Sequence, residues 1–487
     1  MRIFIVLPSL ISQFKLFKDM SEKVVYTSKE QLTVLVAACS GIFIMPLMST
    51  MMNLALVYIG DEYTVGSHSL AMINTIFLLA SVITMVPLAK LSDIYGRKKI
   101  FLFGLIVVAI AATGAALSPT FEILLIMRFL MGVGSAAISV SSISLVTEIF
   151  PFSKRGWAIG VYTTFVYLGL ALGPTLGGFI SQILGWRYNF VFMFPLAVIS
   201  LISLFRFKKD VISSPDLKMD VKGSAVYALT IFFTMYGIIN LPETWAFVLM
   251  IIGISFLMFF ISLMKKSKSP VLDIEIFKHK LFSRSCIAAF MNYASSYSVS
   301  FFLALYLQEI GALSAVEAGM IMLIQPVIQV ILTTKAGSYS DKISDKRLLP
   351  TLGMALTTLG AIMIIFLDID VNLYYVAVIL FILGLGFALF SAPNTSLMMS
   401  SLPYQNRGVA SGMVAVVRQV GMMVSMGIAM CCISVIMGST NNLNPATYGE
   451  FINVIRVAFI ICSAMCIIGT VVSWFRGKDS EAEVQEL

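Results

Sequence analysis

Charge is what this sequence has least of. Only 12% of its 487 residues are Asp, Glu, Lys or Arg, about half the share a soluble chain carries. That shortfall excludes a soluble enzyme, a nucleic-acid binder and a disordered tail as readings of the whole chain. Histidine is scarcer still: His68 and His279 stand far apart, so no metal-ligand spacing exists. A glycine-rich phosphate loop is missing, which argues against a chain that itself hydrolyses ATP. The six cysteines, Cys39, Cys286, Cys431, Cys432, Cys462 and Cys466, lie in or beside apolar runs and give no disulfide framework. No cofactor and no metal is implied.

What is abundant is apolar surface: 59% of the chain is hydrophobic. A bilayer core takes about 20 apolar residues per helix. Fourteen such runs can be read, at about 31–58, 69–90, 100–118, 121–147, 156–181, 187–206, 220–240, 244–264, 283–308, 315–335, 348–367, 372–398, 407–437 and 452–475. Short connections make neighbouring helices antiparallel. With the N-terminus inside, 29 of the 33 Lys and Arg fall on cytoplasmic loops and tails. Arg187 and Arg456 fall outside, and Arg128 and Arg418 lie within spans. So one-sided a split is a positive-inside signal. It predicts a multi-pass protein of the cell membrane with both termini cytoplasmic, and it removes nucleic acid as the partner behind the net charge of +8. The first 20 residues, where Arg2 precedes the apolar stretch 3–10, look like a short signal-peptide core without its cleavage site. They are read as a tail or interfacial helix, with Met20 as an alternative start.

Two basic loops share a frame. Residues 89–99 (AKLSDIYGRKK) and 337–347 (GSYSDKISDKR) place Asp93 and Asp341 at the same position, 248 residues apart. This is the pattern of a transporter built from two similar halves. The expected fold class is an all-α polytopic membrane protein of 14 transmembrane helices, two six-helix pseudo-repeat halves plus an inserted two-helix hairpin. The expected divisions are a tail at 1–30, an N-terminal half at 31–206, a linker with the hairpin at 207–282, a C-terminal half at 283–475 and a tail at 476–487.

Three motifs stand out. In the loop 89–99, Asp93, Gly96, Arg97, Lys98 and Lys99 follow a Gly-x-x-x-Asp-Arg-x-Gly-Arg-Lys/Arg-Lys/Arg pattern, from which Ala89 and Ile94 depart. Residues 128–136 (RFLMGVGSA) put Arg128 about 10 Å inside the fourth span at 1.5 Å per residue. Gly132, Gly134, Ser135 and Ala136 read as close helix packing. Residues 169–178 (GLALGPTLGG) carry Gly169, Gly173, Pro174, Gly177 and Gly178 in register. Pro174 removes a helix hydrogen bond. Stretches 186–195 and 407–421 agree, the latter placing Arg418 near the membrane midplane.

Over residues 31–475 the chain resembles the major facilitator superfamily, and more closely its fourteen-span drug:proton antiporter branch. The resemblance implies that the Asp93–Arg97 loop, with Asp341 as its counterpart, latches a cytoplasmic gate. It implies that Arg128 takes part in proton coupling, and that the glycine–proline motif seals the central interface of an antiporter. One departure matters. The branch often carries an acid early in its first span, as Leu-Asp-x-Thr-x-x-Asn-x-Ala-Leu-Pro. Here residues 47–57 read LMSTMMNLALV, with Met48 for the Asp and Val57 for the Pro, while Thr50, Asn53, Ala55 and Leu56 remain. No span has an Asp or Glu in its interior. A group that titrates near neutrality is then sought nearer a gate, with Glu148 and Asp93 as inner candidates.

The expected function is proton-coupled efflux of small amphipathic or drug-like compounds by alternating access. The partners are a small-molecule substrate, protons and the lipid bilayer, and the chain is expected to be a monomer. Two alternatives stand beside it: an exporter of an anionic metabolite bound between Arg128 and Arg418, and a non-transporting membrane sensor. Asn53, Asn74, Tyr162, Tyr167, Tyr293, Tyr297, Gln325, Gln329 and Asn394 are the candidate cavity wall. An enzyme is not expected, because no metal cluster, nucleophile–base pair or deep carboxylate pair is recognisable.

Overall fold

The computed structural model describes residues 26–209, 219–241, 243–267, 270–272, 274–340, 343, 345–402, 407–438 and 443–477. These are helical, with no strand among the described residues. That is what a chain must do where water cannot satisfy its backbone. The first group of helices is α1 (Ser28–Tyr63), α2 (Ser67–Tyr95), α3 (Arg97–Ala116), α4 (Phe121–Ile149), α5 (Phe152–Ile183), α6 (Tyr188–Val191) and α7 (Met193–Arg206). A pair follows, α8 (Val221–Ile239) and α9 (Thr244–Lys266). The last group is α10 (Lys280–Ser296), α11 (Ser298–Leu305), α12 (Ala315–Met322), α13 (Ile324–Ser340), α14 (Leu348–Ile364), α15 (Leu373–Ser400), α16 (Arg407–Met437) and α17 (Tyr448–Trp474).

Among the described residues twelve helices are long and apolar enough to cross a membrane, counting α6–α7 and α12–α13 as one each. Two of the fourteen apolar runs are not among them. One is α14, apolar but only 17 residues long. The other is Lys280–Ile310, divided into α10, α11 and a π-helical turn, Tyr306–Ile310. Tyr297, between α10 and α11, keeps helical dihedrals (φ −69°, ψ −38°), so this run bends without unwinding.

Boundaries follow local chemistry. Thr27 and Glu30 form a capping box before α1, and Ser314 and Glu317 form another before α12. Gly96 alone separates α2 from α3. Its φ of +112° is open to glycine and strained for any other residue.

In the first group α1 packs against α5 and α7, and α4 against α2 and α3. In the last, α15 packs against α13 and α14, and α17 against α10 and α14. The two groups meet where α5 touches α12 and α13, where α2 touches α16, and where α1 touches α11. Helix α8 leans on α9, and also on α2 and α16, one from each group. The basic loops gather at one end of the bundle and the acidic ones at the other. At the basic end Lys209 pairs with Glu30 at 3.0 Å and Arg97 with Glu148 at 2.8 Å. At the acidic end Arg187 reaches Glu62 at 2.5 Å.

Candidate functional site

A cavity lies between the two groups, about half-way along the helices. Thr50 and Asn53 of α1 and Leu170 and Pro174 of α5 form one wall. Tyr293, Ser296, Tyr297 and Ser300 form the facing one, with Gln325 and Gln329 of α13 and Phe387 of α15. Met322, Leu303, Leu380 and Met422 complete an apolar lining. None of the described lining residues is charged. The wall offers hydroxyls, amides and aromatic faces, which suits an uncharged or weakly charged ligand with a flat apolar body.

Each wall is held from behind. Ser49 and the Tyr297 hydroxyl share a 2.6 Å hydrogen bond that joins α1 to the last group. The Asn53 Oδ1 accepts from the Asn74 Nδ2 at 2.8 Å. Asn74 Oδ1 in turn accepts from Arg128 Nη2 at 3.2 Å. Arg128 is fully buried; its Nε donates to the Ile73 carbonyl at 3.1 Å, and the guanidinium lies 4.7 Å from the Phe77 ring centroid. Its Nη1 has no partner among the described residues.

Of the nine polar residues expected at the wall, Asn53, Tyr293, Tyr297, Gln325 and Gln329 line the cavity. Asn74 stands one layer behind. Tyr162 bonds Ser142 at 3.0 Å, and Tyr167 bonds Ser391 of α15 at 2.8 Å, as interhelical ties. Asn394 is elsewhere, at the basic end. It accepts from Arg476 at 2.7 Å. Arg476, counted above as a tail charge beyond the last span, is 1% exposed, while Arg418, within a span, is only partly buried. Arg476 also donates to the Ser473 carbonyl and hydroxyl and to Ser285 Oγ. Burial pushes its guanidinium down to about 9, and neutral oxygens hold it in place of a carboxylate. Its position two residues beyond the last span gave no sign of this. Neither Arg128 nor Arg418 lines the cavity.

The gating residues form a separate cluster. Arg97 Nη2 meets Asp93 Oδ1 at 3.4 Å, while Nη1 meets Glu148 Oε2 at 2.8 Å and the Ser144 carbonyl at 2.7 Å. Glu148 is thus a partner of the loop and not of the cavity. Asp341 lies outside the described residues.

The glycine–proline motif divides its work between two faces of α5. A Cβ on Gly169, Gly173 or Gly177 would run into α1, at Pro46, Thr50 and Met51 respectively. One on Gly178 would run into the Ala315 backbone of α12. Pro174 lines the cavity, and its carbonyl faces Gly319 of α12. A second cavity, which the sequence did not suggest, opens at the acidic end, with Asp61 and Glu309 in its wall. Among the described residues no group of His, Cys, Asp and Glu is placed to hold a metal.

The Major Facilitator Superfamily family model matches residues 38–426 and 285–486. The chain is similar to the riboflavin transporter RibZ of Clostridioides difficile (strain 630), at 26% identity over 94% of this chain and 100% of that one. It is similar to the multidrug resistance protein Stp of Mycobacterium tuberculosis (strain CDC 1551 / Oshkosh), at 26% identity over 81% of this chain and 74% of that one. Among solved structures, a POT family transporter in complex with 5-aminolevulinic acid superposes with a TM-score of 0.70 at 14% identity, covering 92% of this chain and 96% of the other. That last likeness is one of fold.

Proposed function

The chain belongs to the major facilitator superfamily, and from that premise we propose that it is a proton-coupled exporter of small amphipathic, drug-like compounds. That it is a multi-pass membrane transporter and not an enzyme follows from the family and its relatives. The finer reading rests on one observation: the cavity between the helix groups is polar, aromatic and without charge. A dication would find nothing there to offset it, and an anion would find both arginines outside the wall. The two helix groups act as halves, 31–206 and 283–475, that rock about the cavity, and α8–α9 form a hairpin within 207–282. With α10–α11 and α14 counted as spans, the total is fourteen. The basic end faces the cytoplasm of a cell membrane.

The gate reading is supported by the Asp93–Arg97–Glu148 cluster at the basic end. Protonating Glu148 would free Arg97 from its shorter ion pair. The antiporter reading is supported by Gly178 and Pro174, which set α5 directly on α12.

The test is proton flux in proteoliposomes challenged with cationic, neutral and anionic compounds. Proton movement driven by neutral or weakly cationic compounds is the expected result. Transport of anions alone, without proton movement, would overturn the reading. A second reading has its own support, the end-to-end similarity to a riboflavin transporter. It makes the substrate a neutral, planar heterocycle. Riboflavin flux in the same vesicles separates the two, because export of unrelated drugs excludes a dedicated vitamin carrier.

A further inference from the structure

We infer that Arg128 and Asn74 act as positioning residues that fix Asn53 as a hydrogen-bond donor to the substrate, so that the cavity selects ligands bearing a carbonyl-type acceptor. The inference rests on the cavity being the substrate site.

The argument runs through three side chains whose polarity is forced. A guanidinium has donors only. The Asn74 atom that meets Arg128 Nη2 at 3.2 Å must therefore be its oxygen. That leaves the Asn74 nitrogen for Asn53, 2.8 Å away, and the Asn53 atom that receives it must again be the oxygen. The amide orientation usually left open in such structures is here settled from one end by a charge. Arg128 cannot rotate out of this role, because its Nε is spent on the Ile73 carbonyl and its plane lies against Phe77. Arg128, Asn74 and Asn53 are 0%, 1% and 4% exposed, so water does not compete along the chain.

What remains for the cavity is the Asn53 amide nitrogen. Asn53 lines the cavity, and among the described residues its nitrogen has no acceptor, nor is it counted among the fully buried unpartnered atoms. A carbonyl, a heteroaromatic nitrogen or an ether oxygen on the ligand completes it; an N–H or O–H presented at the same place would meet a donor. The nearby Ser49–Tyr297 bond shares no hydrogen bond with the relay.

Two fluorescent, neutral tricycles test this: acridone, which has a carbonyl acceptor, and carbazole, which has an N–H and no carbonyl. Binding is measured to the full chain in lipid nanodiscs, with empty nanodiscs as the partition control. The wild type should prefer acridone. Asn53→Ala, and Arg128→Met at a distance, should each lower the acridone-to-carbazole affinity ratio about five- to tenfold, the size of one hydrogen bond. A ratio unchanged in both variants refutes the relay. Solid-state NMR on 15N-Asn-labelled protein gives a readout that needs no ligand. The Asn53 side-chain amide should exchange with D2O while the Asn74 amide stays protected, and Arg128→Met should remove that protection. Wild-type protein that binds neither compound but shows this exchange pattern would sink the neutral-substrate reading and leave the relay standing. Fast exchange at both asparagines in the wild type would sink the relay itself.

Discussion

Replacing Gly178 with alanine should shift the transporter between its conformations without unfolding it. A Cβ at this position would stand 2.8 Å from the Ala315 carbonyl carbon of α12, and closer still to its oxygen. Ordinary contact begins at 3.4 Å, so the two helices must part by at least about 0.6 Å, and neither side of the clash has a side chain that can swing away. Overpacking of this kind costs about 1–3 kcal/mol. Because the contact joins the two helix groups, that cost falls only on the state in which α5 and α12 touch, and shifts its equilibrium about 5- to 150-fold. Gly173→Ala is the control. Its Cβ would come 2.7 Å from Thr50 Cβ on α1, inside one group, so it should lower stability in every conformation. The assay is disulfide cross-linking between Gln182→Cys and Val316→Cys, which replace a side chain and a backbone position now 3.3 Å apart in a hydrogen bond. Gly178→Ala should reduce cross-linking with little change in melting temperature. Gly173→Ala should lower melting temperature with cross-linking intact. Unchanged cross-linking in Gly178→Ala, with melting lowered as in Gly173→Ala, would refute the reasoning.

Three further outcomes are expected. Gly96→Ala forces a side chain onto a φ of +112°, costing about 1–3 kcal/mol; thermal melting checks it, and transport should fall as Arg97 loses register with Glu148. Arg476→Ala removes the donors to Asn394, Ser285 and Ser473, which should destabilise the protein by about 1–3 kcal/mol. Arg476→Lys should not restore it, because one ammonium nitrogen cannot reproduce the fork by which Nε, Nη1 and Nη2 reach Ser473, Ser285 and Asn394. Glu148→Gln breaks a half-exposed ion pair worth no more than about 1 kcal/mol, so melting should hold; a pH dependence of transport that stays unchanged would remove Glu148 as the proton carrier.

Much of this molecule was legible in its sequence, and the reason is the bilayer. Apolar run length reports membrane-crossing helices almost independently of packing, and twelve of the fourteen runs are long apolar helices among the described residues. The glycines of the Arg128 motif were legible as close packing, and Gly132 and Gly134 do meet backbone. The site was less so. Apolar spans carry no contrast between a face toward lipid and a face toward another helix, so periodicity could not say that Gln325 and Gln329 face the cavity while Tyr162 and Asn394 face neighbours. Arg476 shows the same limit. Beside a membrane span, a lone arginine reads as a topology signal, and only the approach of α10, α15 and α17 turns it into a buried knot.

One face of α5 has a consequence for how far the protein must move. Gly160, Tyr167 and Gly178 fall within about 20° of one another around the helix, at 100° per residue. Gly178 is pressed on α12 and Tyr167 is tied to Ser391, but a Cβ at Gly160 would meet nothing within 4 Å. Were the helix to pivot as a rigid rod in the rocking proposed above, the Tyr167–Ser391 bond would be its fulcrum. Its arms are about 16 Å toward the acidic end and about 10 Å toward the basic end, by helix rise. Such unequal arms mean that opening the sealed end by a given distance closes the vacant end by roughly two thirds of it. On that proposal, the space beside Gly160 would close by less than the Gly178 side opens.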